Sequence, residues 1–83
     1  MKIAVLGLGY VGFTAACCMA QGGHEVIGID VNERKVREIQ SGMSPITEPD
    51  VGAMLQAALA RGLMLADTEI GGHLQGCDMA VVC

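Results

Sequence analysis

Short apolar runs and longer segments with helical periodicity alternate along this chain. Runs of Val, Ile and Leu bounded by glycine or polar residues predict buried strands, and apolar positions spaced three to four residues apart predict helices. The predicted strands are Lys2–Leu6, Glu25–Ile29, Leu63–Ala66 and Met79–Cys83. The predicted helices are Tyr10–Gln21, about Glu33–Gln40, Asp50–Arg61 and a short, glycine-containing helix over Glu69–Gln75.

This alternation indicates an α/β fold in which helices flank a parallel sheet. Right-handed crossovers between the parallel strands place them in the order 3-2-1-4. The fourth strand then lies beside the first and leaves an edge at which further strands of such a sheet would pair. We therefore expect residues 1–83 to be the N-terminal part of a larger domain, with the remaining domains of the protein downstream.

The first helix is apolar around most of its circumference, so its buried face has to be chosen from spacing. The positions expected to face the sheet are Val11, Ala15, Cys18 and Gly22. Cys18 is accordingly expected to have a structural role in the core. Phe13 and Cys17 lie on another face, which we expect a further domain to cover.

The first strand runs directly into a Gly-x-Gly-x-x-Gly turn formed by Gly7, Gly9 and Gly12. In a strand, turn and helix context this spacing is typical of dinucleotide binding and of a Rossmann-type sheet. Gly7 allows the tight turn, Gly9 lets the backbone approach a pyrophosphate, and Gly12 lets the first helix lie close to the sheet. The free N–H groups at the start of that helix would face the pyrophosphate.

An acidic residue, Asp30, follows the second strand, where such folds bind the adenosine ribose. A carboxylate there accepts hydrogen bonds from ribose hydroxyls and repels a 2′-phosphate, which favours NAD over NADP, although Arg34, Lys35 and Arg37 weaken that preference. Lys35 lies in the first turn of a helix that Asn32 is expected to cap, where a positive charge is unfavourable for the helix dipole. Either a nearby anionic or hydroxylated ligand or exposure to solvent would explain a lysine there. A glycine-rich turn without a ligand, beside a solvated Asp30, is the structural alternative.

Composition narrows the possible partners of the protein. The 83 residues are 52% hydrophobic and carry a formal net charge of −4. Nucleic acids and anionic membranes are bound by clustered Lys and Arg, so this charge argues against both as partners. No stretch is long and apolar enough for a membrane span and no signal peptide is evident, so we expect a cytoplasmic protein.

The cysteines do not form a metal-binding pattern. They neither show CxxC spacing nor combine with His24 and His73 in a zinc-ligand arrangement. We expect no metal site and interpret them as reduced thiols. The four positions are Cys17, Cys18, Cys77 and Cys83.

Two segments carry a resemblance to a known family that extends over essentially the whole chain. The glycine turn holds the pair Tyr10 and Val11, and the loop Ser44–Pro49 reads Ser-Pro-Ile-Thr-Glu-Pro. Together with the second strand and Lys35, they resemble the amino terminus of the UDP-glucose/GDP-mannose 6-dehydrogenase family. The resemblance implies that NAD is bound, with the pyrophosphate surrounded by Gly7, Gly9, Tyr10, Val11 and Gly12. It also implies that Asp30 and Lys35 hold the adenosine end and that the loop containing Glu48 lies near the cofactor.

The resemblance also implies an enzymatic activity. Members of this family oxidise the C6 hydroxyl of a nucleotide-linked hexose to a carboxylate with two NAD, through a thiohemiacetal on a cysteine, and are usually homodimers. In this family the nucleophile lies downstream of the part that corresponds to residues 1–83. We therefore expect no catalytic residue within this chain. The substrate would be GDP-mannose or UDP-glucose, bound through a further domain.

Two other functions share the same opening motif. A nucleotide-sensing regulatory domain would bind the nucleotide without chemistry, but such domains usually proceed from the second helix directly to a third strand. The loop Ser44–Pro49 and the helix after it therefore favour the dehydrogenase. A different NAD-dependent dehydrogenase, acting on hydroxyacids or acyl thioesters, is the other alternative, because a shared fold does not determine function.

Overall fold

The computed structural model describes the backbone of residues 1–83 and every side chain except that of residue 49. The strands are β1 (Lys2–Leu6), β2 (Glu25–Ile29), β3 (Met64–Asp67) and β4 (Met79–Val82). The helices are α1 (Tyr10–Gln21), α2 (Glu33–Gln40) and α3 (Pro49–Ala60). The element order is therefore the one that the apolar pattern predicts, apart from the segment between β3 and β4.

The strands pair in one parallel sheet in the order β3-β2-β1-β4. In the centre of the sheet Ala4 of β1 lies between Ile27 of β2 and Ala80 of β4. Because all strands point the same way, their carboxyl ends meet at one edge, where the loops that follow β1, β2 and β3 lie together. The predicted α/β class, Rossmann-type sheet and strand order are confirmed.

The hydrophobic core lies between one face of the sheet and the helices α1, α2 and α3. Ile3 and Val26 from the strands, Phe13 from α1 and Leu55 from α3 are all buried. These side chains are aliphatic or aromatic, so they lose apolar surface without leaving polar groups unpaired, at about 25 cal/mol for each Å² buried. The core holds the carboxyl edge of the sheet in place for the site described below.

The prediction for the buried face of α1 is wrong. Cys17 and Phe13 are fully buried in the core, whereas Cys18 is exposed and Val11 is 70% exposed. A side chain at Gly12 would contact the carbonyl oxygen of Gly7, so residue 12 faces the turn and the sheet, and the other buried positions follow on the same side. Phe13 and Cys17 therefore need no additional domain to cover them.

The predicted helix over Glu69–Gln75 is also wrong. Residues 71–76 form consecutive turns. Gly71 and Gly76 have φ angles of +48° and +83°, which an α-helix does not accommodate. The predicted bounds of α3 and β3 are displaced by one residue, and β4 ends at Val82 instead of Cys83.

The second helix forms as predicted. The Asn32 side chain accepts a hydrogen bond from the Lys35 backbone N–H at 3.0 Å and so caps α2. Val36 and Ile39 are buried in the hydrophobic core. The exposed surface of α2 carries two ion pairs, Arg34 with Glu38 and Arg37 with Glu33.

Candidate dinucleotide site

The glycine turn lies at the carboxyl end of β1, between the ends of β2 and β4. The Gly7 N–H donates to the carbonyl oxygen of Ile29 at 2.8 Å, and the Cys83 N–H donates to that of Leu6 at 2.9 Å. The chain leaves β1 for a helix at the point where the strand order reverses. Open α/β sheets bind their ligands outside the carboxyl ends of the strands at such a point.

Two of the three glycines are required by the fold itself. Gly7 has a φ angle of +104°, and a Cβ atom there would lie 2.5 Å from the carbonyl oxygen of Cys83. A Cβ atom on Gly12 would collide with the carbonyl oxygen of Gly7 and lie 3.2 Å from the Cβ atom of Cys83. Both contacts involve backbone, which cannot move aside cheaply. The first helix therefore does approach the sheet closely at Gly12, as predicted. The atoms it approaches belong to the glycine turn and to Cys83, which follows β4.

Gly9 differs from both. Its φ and ψ angles are −70° and −167°, which any residue adopts. A Cβ atom built on Gly9 would meet no atom within 4 Å. Neither backbone conformation nor packing within this chain accounts for glycine at this position, and the space above Gly9 is open to a ligand that approaches the backbone.

The start of α1 suits an anion at this place. Gly9 occupies the N-cap position without a capping side chain, and its carbonyl oxygen accepts the first helical hydrogen bond from the Phe13 N–H at 2.9 Å. The N–H groups of the first turn have no partner within the helix, and the helix dipole is positive at this end. Tyr10 and Val11, the first two residues of α1, are 59% and 70% exposed. The start of α1 thus offers free N–H groups beside open space at Gly9, which suits an anion such as a pyrophosphate.

Asp30 is fixed beside this turn by backbone N–H groups. Its Oδ2 atom accepts from the Leu8 N–H at 2.8 Å, and its Oδ1 atom accepts from the Asn32 N–H at 2.9 Å. Burial acts to raise the pKa of Asp30, but the hydrogen bonds from Asn32 and Leu8 and the nearby Lys35 ammonium outweigh it, so the pKa lies below its usual value. The carboxylate is charged at neutral pH and keeps lone pairs for further donors.

Lys35 has an internal partner that the sequence did not reveal. Its ammonium nitrogen lies 3.8 Å from Oδ2 of Asp30, and its side chain is 26% exposed. Arg34, in contrast, is 86% exposed and pairs with Glu38 at 3.2 Å. Of the three basic residues considered above, Lys35 is the one that contacts the Asp30 carboxylate.

The structure also brings in a residue from a distant loop. The Tyr10 hydroxyl donates to Oε1 of Glu48 at 2.6 Å, across 38 positions of sequence. The hydrogen bond and the charge of Glu48 raise the pKa of Tyr10 above its usual value, so the hydroxyl stays a neutral donor. This contact was missed, because the resemblance indicated only that the Glu48 loop lies near the site. The structural contributions of Leu8 and Asn32 to Asp30 were missed as well, since both act through backbone N–H groups.

A separate cleft lies elsewhere in the molecule. It has a volume of about 420 Å³ and is lined by residues including Lys2, Glu25, Leu65 and His73. Lys2 and Glu25 begin their strands, so this cleft adjoins the opposite edge of the sheet from the glycine turn. Ligands of parallel sheets bind at the carboxyl edge, and we therefore place the candidate site at residues 7–12, 30 and 35.

Several features are absent from the part of the chain that the structure describes. No group of three or more His, Cys, Asp or Glu side chains there could hold a metal ion. None of its helices combines the length and the apolar character needed to cross a membrane. The cysteines are free thiols, and burial together with the neighbouring Cys18 raises the pKa of the Cys17 thiol to about 11. Cys17 is therefore a core side chain and a poor nucleophile.

The chain is similar to known proteins over its whole length. Residues 1–83 match the model of the UDP-glucose/GDP-mannose dehydrogenase family, NAD binding domain. GDP-mannose 6-dehydrogenase of Pseudomonas putida is 41% identical over all 83 residues, which correspond to 19% of that protein.

Solved structures show the same similarity. The crystal structure of a ternary complex of GDP-mannose dehydrogenase from Pseudomonas aeruginosa matches with a TM-score of 0.95 and 40% identity over 100% of this chain and 19% of the other. A UDP-glucose dehydrogenase from Pyrobaculum islandicum matches with a TM-score of 0.90 and 33% identity over 99% of this chain and 19% of the other.

The chain thus spans about a fifth of the length of the relatives it matches. These relatives are dehydrogenases, which supports the dehydrogenase interpretation and not the nucleotide-sensing alternative. Because residues 1–83 all match the family model, the chain belongs to the UDP-glucose/GDP-mannose dehydrogenase family, and the part of the family that it matches is the NAD binding domain.

Proposed function

We propose that residues 1–83 hold the NAD cofactor of a nucleotide-sugar 6-dehydrogenase. The observation that carries the proposal is the open space at Gly9, directly beside a carboxylate whose position is fixed by the same turn. A ligand that uses both must have an anionic group and, at a short distance from it, hydroxyl donors. The pyrophosphate and the adenosine ribose of NAD have this arrangement.

Each residue of the site has a role in this proposal. The N–H groups at the start of α1 bind the pyrophosphate next to Gly9, with Gly7 and Gly12 shaping the turn. Tyr10 and Val11 form the walls of the opening, and Asp30 accepts the ribose hydroxyls, with Lys35 beside its carboxylate. A charged carboxylate at that place disfavours the 2′-phosphate of NADP. When bound, NAD supplies the hydride acceptor, and the residues named here bind and orient it.

The reaction of the whole protein belongs to the same proposal. The relatives named above act on GDP-mannose or UDP-glucose, so the substrate class is a nucleotide sugar whose C6 hydroxyl is oxidised to a carboxylate with two NAD. The sugar-binding and nucleophilic residues lie outside residues 1–83, in central and substrate-binding domains. A cytoplasmic location and a homodimer are further parts of the proposal, in keeping with the four free thiols and with the family resemblance.

The test of this function is the stoichiometry of NADH formation by the full-length protein. GDP-mannose and UDP-glucose are supplied separately, and NADH is counted at 340 nm per sugar consumed. We expect two NADH per sugar with one of the two substrates, because oxidation of an alcohol to a carboxylate removes four electrons. Retained NAD binding without NADH formation from either sugar would contradict GDP-mannose and UDP-glucose as the substrates.

A smaller effect is expected at Lys35. We expect Lys35→Met to raise the dissociation constant for NAD about 3-fold, because Lys35 helps to hold the Asp30 carboxylate at the ribose site. The ion pair between them is partly exposed, so its contribution to NAD binding is less than about 1 kcal/mol. Arg34→Met removes the same charge from the neighbouring position, where the side chain pairs with Glu38, and should leave the dissociation constant unchanged. Calorimetric titration with NAD measures both. Equal losses in the two variants would show that overall charge, and not the contact with Asp30, is responsible.

A further inference from the structure

The hydrogen bond between Tyr10 and Glu48 joins the start of α1 to the loop before α3. Tyr10 is the single tyrosine in the sequence, and its ring is 59% exposed although its hydroxyl is bound at 2.6 Å to Oε1 of Glu48. Exposed aromatic side chains usually move between rotamers. Here the ring is fixed at both ends, by its backbone in the first turn of α1 and by a carboxylate at its hydroxyl.

The loop that presents Glu48 is itself structured. The Ser44 hydroxyl donates to the carbonyl oxygen of Ile46 at 2.8 Å and accepts from the Ile46 N–H at 3.2 Å. Ile46 also packs against the hydrophobic core. The position of Glu48 is therefore determined before any ligand binds.

The Glu48 side chain is not used by its own helix. Glu48 occupies the N-cap position of α3, and its carbonyl oxygen accepts from the Gly52 N–H at 3.3 Å. Its carboxylate makes no capping hydrogen bond to α3 and is bonded to Tyr10 instead. A carboxylate near an anion site would by itself oppose pyrophosphate binding. The hydrogen bond from the neutral Tyr10 hydroxyl partly offsets the negative charge of this carboxylate.

We propose that Glu48 is a positioning residue for the cofactor, which holds the Tyr10 ring as a preformed wall beside the opening at Gly9. The inference rests on the proposed function, since it assumes that NAD binds at this turn. An ordered wall contributes to affinity because the cost of immobilising the side chain is met during folding and not during binding. Removing either partner of the hydrogen bond should release the ring, so the two residues should act as a unit.

The test is a double-mutant cycle in the full-length protein, with the dissociation constant for NAD measured by calorimetry. Tyr10→Phe and Glu48→Ala should each raise it about 3- to 10-fold, and the double variant should bind no more weakly than the weaker single variant. Glu48→Gln keeps an oxygen acceptor for the hydroxyl and should restore most of the affinity. Asp50→Ala removes a neighbouring exposed carboxylate of the same helix start and should leave NAD binding unchanged.

A spectroscopic measurement separates positioning from a general effect on the fold. In protein labelled with 3-fluorotyrosine, the ¹⁹F resonance that disappears in Tyr10→Phe reports on this ring. It should shift in Glu48→Ala without NAD, and the thermal midpoint should stay near that of the wild type. Additive losses in the cycle, an unchanged dissociation constant in Glu48→Ala or an equal loss in Asp50→Ala would overturn the inference. Absence of NAD binding by the wild type would instead contradict the proposed function.

Discussion

Gly9→Ala is expected to weaken NAD binding at least about 100-fold while leaving the thermal stability of the protein unchanged. The added methyl group meets no atom of the protein within 4 Å and the backbone angles suit alanine, so the fold has no reason to change. The same methyl group keeps the pyrophosphate from the helix N–H groups. Loss of two charge-assisted hydrogen bonds corresponds to about 3 kcal/mol or more. Calorimetric titration and a thermal melt on the same sample measure both quantities.

Gly12→Ala is the matched control for this prediction. It adds the same methyl group three residues away, but the new atom would collide with the carbonyl oxygen of Gly7. We expect a loss of stability of about 2–3 kcal/mol, because backbone must shift to relieve the contact. Any loss of NAD binding in this variant should therefore be accompanied by a lower thermal midpoint. A Gly9→Ala variant that melts early, or that binds NAD normally, would contradict the assignment of the open space to the cofactor.

Asp30→Asn is expected to raise the dissociation constant for NAD about 10- to 100-fold and that for NADP much less. The asparagine loses the charge and one acceptor oxygen, which weakens the hydrogen bonds to the ribose by about 1.5–3 kcal/mol. It also no longer repels a 2′-phosphate. Leu8 and Asn32 each donate a backbone N–H to this carboxylate, so asparagine disturbs the turn less than alanine would.

Asp67→Asn provides the comparison for Asp30. Asp67 ends the neighbouring strand β3, and its carboxylate binds the Thr68 N–H at 2.7 Å and His73 at 2.7 Å. The hydrogen bond from His73 is the main cause of its lowered pKa, so this is a charged carboxylate at the same edge of the sheet. We expect NAD affinity to be unaffected. If both variants lost NAD and NADP binding equally, Asp30 would have no specific role at the ribose.

Most of this fold can be predicted from local sequence patterns together with the right-handedness of connections between parallel strands. The short Val- and Ile-rich runs alternate with helices, and right-handed crossovers then leave one strand order, which the sheet shows. The glycine turn could be predicted for a related reason: Gly7 and Gly12 are demanded by local backbone geometry.

The buried face of α1 could not be predicted from hydrophobicity. The helix has small or apolar side chains on nearly every side, so Cys17 and Cys18 look equivalent in the sequence. The contact of residue 12 with the turn decides between them, and the hydrophobic pattern does not reveal that contact. Likewise, the glycines at 71 and 76 mark turns through their positive φ angles, which outweigh the residual helical spacing of the segment.

The residues that complete the site are hidden from sequence for a different reason. Asp30 is held by N–H groups of Leu8 and Asn32, and every residue type except proline offers such a group. The contact of Glu48 with Tyr10 joins residues 38 positions apart, and no periodicity relates them. The sequence therefore predicts the glycine turn and the carboxylate after β2. The hydrogen bonds that hold Asp30 and Tyr10 in place are visible only in the structure.

A crystal structure of the full-length protein with NAD would show whether NAD binds across the glycine turn with its ribose on Asp30. We expect pyrophosphate oxygens within hydrogen-bond distance of the N–H groups of residues 10–12, next to Gly9. We also expect both hydroxyls of the adenosine ribose at the Asp30 carboxylate. NAD bound instead in the cleft lined by Lys2 and His73, or a ribose held by other residues, would contradict this binding mode.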